Sequence, residues 1–82
     1  MVLKYPFVTE KAAMMLENEN KLQFIVHRDA TRRDVKRELE RVFEQEVSEV
    51  RTMMTMKGEK KAIIRFVDAN AAEEILSRLG IM

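Results

Sequence analysis

The chain has 82 residues, 46% of them hydrophobic, with 15 Lys and Arg against 14 Asp and Glu, which suits one small folded domain and excludes a second. A folded chain of this size buries only about 60 to 65% of the surface its unfolded form exposes, so a deep internal active site has no room. The absence of cysteine removes disulfides, thiol nucleophiles and thiolate metal sites together, and no apolar run reaches the roughly 20 residues of a membrane span or forms a secretory core at the start, so a soluble cytoplasmic protein with no membrane partner is expected.

In chain order, Val2 to Tyr5 reads as an edge strand stopped by Pro6, which lacks an N–H. Thr9 offers an N-cap to a short helix from Glu10, in which Ala12, Met15 and Leu16 recur at helical spacing until Asn18-Glu19-Asn20 ends it. Lys21 to Arg28 alternates, with Leu22, Phe24 and Val26 on one face, and reads as a central strand. Thr31 followed by Asp34 resembles a capping box, and the stripe Val35, Leu39, Val42 and Phe43 predicts a second helix with one face on a sheet. Val47 to Met56 and Lys60 to Val67 predict an antiparallel hairpin turned at Lys57-Gly58-Glu59. Asn70 with Glu73 predicts a capped third helix, whose stripe Ala72, Ile75, Leu76 and Leu79 runs out at Gly80. The order strand-helix-strand-helix-strand-strand-helix makes an α+β domain over residues 1–82, with a four-stranded, mostly antiparallel sheet and helices packed on it.

Catalysis finds little here. One histidine, two serines and no cysteine do not supply a nucleophile with an oriented base. A lone His27 would have to share a zinc ion mainly with carboxylates, and a structural or surface role suits it better. Gly58 and Gly80 are too far apart for a phosphate loop or a dinucleotide fingerprint. No enzyme activity, cofactor, metal or small-molecule substrate is expected.

The net charge of +1 hides a polarity. Arg28 to Arg37 holds five basic residues (Arg28, Arg32, Arg33, Lys36, Arg37) against two acids, whereas Glu38 to Glu49 holds five acids against Arg41. Arg32 and Arg33 open the second helix, where the macrodipole is positive, and Glu44 and Glu46 lie near its negative end. Each such misplacement typically costs about 0.3 to 1 kcal/mol. An anion site at the helix start, where amides and guanidinium forks suit phosphate oxygens, explains the pattern; a merely solvated face stays open beside it. Lys57, Lys60 and Lys61 flank the hairpin turn, with Arg51 and Arg65 further down the strands, and can bind phosphate or guard an edge against aggregation. Lys4-Tyr5-Pro6 is a third candidate, in which Tyr5 stacks on a base or sugar or else enters the core. Alternation puts Met54 and Met56 on one face and Met53 on the other, part buried and part at the hairpin shoulder.

The segments Pro6-Phe7-Val8-Thr9-Glu10-Lys11, Thr31-Arg32-Arg33-Asp34-Val35-Lys36, Val50-Arg51-Thr52 and Gly58-Glu59-Lys60-Lys61-Ala62, in this order over nearly the whole chain, resemble the universal large-subunit ribosomal protein family number twenty-three in its archaeal form. The resemblance implies a four-stranded antiparallel sheet with helices. It also implies a non-catalytic ribosomal protein that binds the third domain of large-subunit (23S-type) rRNA at the rim of the polypeptide exit tunnel. Carried onto this sequence, Thr9, Lys11, the basic residues opening the second helix, Arg51, Thr52, Lys57, Lys60 and Lys61 would face rRNA. Glu10 matches an acid that, in bacterial relatives, faces the tunnel exit and docks the ribosome-associated chaperone. Here that role would pass to factors such as signal recognition particle, and large-subunit protein number twenty-nine would be a neighbour. Two departures stand out: only a few residues join the hairpin strands where bacterial members carry a long basic extension, and Arg51 stands where the family often has asparagine.

Charge and resemblance together select Lys4, Tyr5, Thr9, Lys11, Arg28, Arg32, Arg33, Lys36, Arg51, Thr52, Lys57, Lys60 and Lys61 as rRNA-binding candidates, with Glu38, Glu40 and Glu44 on an acidic face left toward solvent or proteins. The alternatives are a single-strand RNA module and a small regulatory or protein-interaction domain. The first lacks closely spaced strand aromatics, since Phe24, Phe43 and Phe66 fall at core spacing. The second would use the sheet edge and the Met-rich hairpin, without specific RNA binding.

Overall fold

The computed structural model describes residues 2–7 and 9–80, without the side chains of Glu10 and Glu17. Seven elements follow the expected order: β1 (Leu3–Pro6), α1 (Glu10–Glu19), β2 (Lys21–Val26), α2 (Arg32–Phe43), β3 (Val47–Met54), β4 (Lys60–Phe66) and α3 (Ala71–Arg78). The strands form one antiparallel sheet in the order β1-β2-β4-β3. β1 is therefore an edge, as Pro6 required, although Pro6 itself pairs with Phe24 as the last strand residue. An edge proline faces no donor demand from a further strand, so it need not stop the ladder.

Alternation divides the sheet into two faces. Leu22, Phe24 and Val26 of β2 join Ala62, Ile64 and Phe66 of β4 and Val47 and Val50 of β3 on the first face, where Val35, Leu39 and Phe43 of α2 and Ala71, Ala72, Ile75 and Leu76 of α3 close a core. On the second face lie Gln23 and Ile25, the latter 1% exposed. The Gln23 amide reaches the Met15 sulfur at 3.0 Å, so α1 lies over β2 on this side. Leu16, at the end of α1, packs against the first-face core.

Local signals explain the helix ends. The Thr9 hydroxyl accepts from Ala12 N–H at 3.1 Å. The Thr31 and Asp34 box is complete, with Asp34 N–H donating to the Thr31 hydroxyl at 3.1 Å and Thr31 N–H to the Asp34 carboxylate at 3.0 Å. The third expected cap is not made: Asn70 forms no side-chain bond to α3, and its own N–H donates to the Asp68 carboxylate at 2.8 Å. A turn upstream thus competes successfully for Asn70. The stripe on α2 is also narrower than expected, for Val42 is 40% exposed and Glu38 is buried in its place.

The hairpin strands are shorter than their apolar sequence suggests, and the chain leaves β3 at Met54. Thr55 N–H donates to the Glu59 carbonyl at 2.7 Å and Gly58 N–H to the Thr55 carbonyl at 3.0 Å. Gly58 takes φ +81, in the left-handed region that glycine enters without steric cost. At the end of the ladder Met53 and Met54 are half exposed, and Met56 beyond it is fully so, which corrects the expectation that part of this set is buried.

Candidate nucleic-acid interface

The start of α2 is the best-defined of the basic surfaces. Arg28 leaves β2 exposed, and Arg32, Arg33 and Lys36 stand exposed on the first turns of the helix. Among the described residues none of the four is in an ion pair, since the salt bridges there join Lys21 to Glu19, Arg41 to Glu38 and Arg51 to Glu49. The helix start does not offer its amides as freely as the sequence suggests. Asp34 acts as the resident anion: hydrogen bonds from Thr31, first from its backbone, with lesser help from Arg37 and Arg33, hold its carboxyl below the usual range. What remains for an outside anion is the set of guanidinium forks and the Lys36 ammonium.

The hairpin cluster divides between the two faces of the sheet. The register sets Met53 opposite Lys61, Arg51 opposite Ile63 and Thr52 opposite Ala62. Arg51 and Lys61 therefore share the second face, while Thr52, half-buried, and Lys60 share the first. Lys61 lies 4.9 Å from the centre of the Phe7 ring, within cation–π range. Arg51 bonds Glu49 at 3.0 Å between exposed side chains, a pair of little worth that a phosphate can displace. Lys57 projects from the turn, exposed. Lys60 instead turns inward and donates to the Ala30 carbonyl at 2.5 Å.

The same second face continues into β1. Tyr5, Ile25, Lys61 and Met53 line up across the four strands, and the next row runs Gln23, Ile63 and Arg51. Tyr5 is exposed, and its hydroxyl donates to the Glu59 carboxylate. That bond to an anion pushes the Tyr5 phenol above its ordinary value. Lys4, Thr9 and Lys11 are exposed nearby in the chain, with the Thr9 oxygen engaged as the α1 cap. The side chain of Glu10 lies outside the described residues.

Ile63, which the sequence did not single out, and exposed Arg65, named with the hairpin cations but left out of the final rRNA-binding candidates, also lie on the second face. Strand parity, counted from Lys61 along β4, is the signal that adds them. The expected acidic face is corrected as well. Glu38 is 8% exposed, accepting from Arg41 and from Val2 N–H at 3.2 Å, and Glu40 accepts from Val47 N–H at 3.1 Å. Glu44 alone of the three stays exposed. Among the described residues no group of three His, Cys, Asp or Glu side chains is placed to hold a metal ion, and no helix is long and apolar enough to cross a membrane.

Comparison with known proteins decides what this basic surface belongs to. The model of the family described as Ribosomal protein L23 matches residues 1–73. The chain belongs to the ribosomal protein L23 family. Large ribosomal subunit protein uL23 of the archaeon Methanospirillum hungatei JF-1 is 55% identical over 82 residues, covering 100% of both chains. The archaeal form of L23 indicated by the motifs is thus the correct one. Members of the L23 family are structural proteins of the ribosome and not enzymes, which accounts for a chain rich in exposed cations and poor in nucleophiles.

Proposed function

We propose that the 82 residues act as one rRNA-binding domain that anchors to the third domain of large-subunit rRNA at the rim of the polypeptide exit tunnel. Membership of the L23 family already makes the chain a component of the large ribosomal subunit, at work in the cytoplasm with rRNA and ribosomal proteins as its partners. The observation that carries the finer reading is the group Arg28, Arg32, Arg33 and Lys36, exposed and unpaired among the described residues at the helix end where positive charge is least stable. Charge kept there against the macrodipole suits phosphate oxygens. Arg51 and Lys61 on the second face, with Lys4, Lys11 and Lys57 at its borders, extend the contact to backbone and 2′-hydroxyl groups of folded RNA.

Docking of exit-site factors, signal recognition particle among them, and contact with large-subunit protein number twenty-nine belong to the same proposal, with Glu10 as the candidate docking acid. The exposed Met53, Met54 and Met56 beside the open edge of β3 favour a protein neighbour on that side, because thioethers adapt to irregular apolar partners. A free regulatory domain without RNA loses its ground to family membership.

Binding of the purified chain to a third-domain rRNA fragment, compared with an unrelated folded RNA of equal length across a salt series, tests the proposal. Preferential, salt-sensitive binding that persists near physiological salt is expected. Equal, weak binding to both RNAs overturns it.

A further inference from the structure

Three consecutive residues that lead into β4, Glu59 to Lys61, reach three separate parts of the fold. Glu59 accepts from the Tyr5 hydroxyl on β1. Lys60 crosses the first face and donates to the Ala30 carbonyl, 2.5 Å away in the loop that leads into α2. Lys61, on the second face, lies 4.9 Å from the Phe7 ring just ahead of α1. Of the lysines around the hairpin, Lys57 is exposed, whereas Lys60 is half-buried and its ammonium is occupied.

We propose that Lys60 is a positioning residue and not a phosphate ligand: its bond to the Ala30 carbonyl fixes the start of α2 against the sheet and so aims Arg32 and Arg33. The inference rests on the rRNA-binding reading of α2. Ala30 is itself 4% exposed and its N–H donates to the His27 carbonyl at 3.0 Å, so the loop from His27 to Thr31 is held at both its turn and its end. The capping box begins at the very next residue, Thr31. A shift of the Ala30 carbonyl therefore moves the helix start directly. A lysine that bound phosphate from this place would have to abandon a carbonyl that has no other described donor, and leaving such a group unpaired is unfavourable. Lys60 also lies opposite both Val26 and Met54 in the ladder, which fixes its stem on the first face.

The test separates positioning from phosphate contact with Lys60→Met, which keeps the apolar stem, Lys60→Arg, which keeps a donor, and Lys36→Met as a phosphate-contact control. Amide exchange of the free chain is read first. In Lys60→Met, exchange at Ala30, Thr31, Asp34 and Val35 is expected to quicken about tenfold while β2 and β4 amides hold, and Lys60→Arg is expected to restore protection. RNA binding is read second. Lys60→Met is expected to weaken affinity about tenfold with little change in the salt slope, whereas Lys36→Met flattens the slope by roughly 0.7 to 0.9, the loss of one phosphate contact. If Lys60→Met flattens the slope equally and leaves exchange unchanged, Lys60 is a phosphate ligand and the inference fails. It fails too if exchange quickens without loss of affinity, or if neither reading moves. Absence of specific RNA binding by the unmutated chain would instead defeat the rRNA-binding reading, while exchange still decides whether the tether exists. Should Lys60→Met not fold, Lys60→Gln takes its place.

Discussion

Thr31 and Asp34 satisfy two backbone donors with each other's side chains, and this short exchange sets where α2 begins. Thr31→Ala should cost about 1 kcal/mol and lower the melting temperature by about 4 to 8 °C, as thermal unfolding followed by circular dichroism will show. The carboxyls of Asp34 and Glu38 are both held below their ordinary values, Glu38 mainly by its bond from Arg41 and then by Val2 N–H against the opposing effect of burial. A depressed carboxyl contributes stability that is present above its unfolded value and lost as pH falls through the folded one. Stability should therefore decline below about pH 4, and a pH series on Glu38→Gln should show a shallower acid decline. Tyr5 runs the other way: its raised phenol stabilises the fold below its unfolded value of 10.0, and the benefit disappears as pH climbs through the folded value. Tyr5→Phe should remove that alkaline component. The capping box was legible because both partners lie within four residues. Burial of Glu38 was not, because the Val2 N–H it binds lies 36 positions away and leaves no local pattern.

Strand parity governs how the hairpin presents its charges. The segment Lys57 to Lys61 read as one cluster in the sequence, yet successive strand residues point to opposite faces, so Lys60 and Lys61 do different work. Parity itself was legible; which face lay toward α2 was not, since that depends on how the helix returns across the sheet. Helix amphipathicity was likewise read correctly at Val35, Leu39 and Phe43, while Val42 fell outside the covered width. The methionines misled for a related reason: an apolar run predicts strand, but β3 is an edge whose end projects beyond the core. At the turn, a Cβ on Gly58 would meet no atom within 4 Å, so the cost of Gly58→Ala is purely that of its φ of +81. Chemical denaturation should register about 1 to 2 kcal/mol, with RNA affinity unchanged under conditions where the variant is fully folded.

Across the whole molecule, a net charge of +1 is distributed so that RNA and protein neighbours can both be met. Positive side chains gather at the start of α2 and across the second face of the sheet, and the far end of α2 ends in Glu44 and Glu46, both exposed. The acidic end is smaller than its sequence suggests, because Glu38 and Glu40 serve backbone donors. On the proposed rRNA-binding reading, low overall charge in a ribosomal protein reflects separation of charge between the start and the far end of α2. The most direct test of this account is the affinity of the Arg32→Glu, Arg33→Glu, Lys61→Glu triple variant for a third-domain rRNA fragment across a salt series, with folding verified by circular dichroism. The variant is expected to fold, with affinity lower by at least about a hundredfold and a salt slope flatter by roughly 2 to 3, as lost phosphate contacts require. A folded variant that binds as tightly as the parent, with the same slope, would contradict this account.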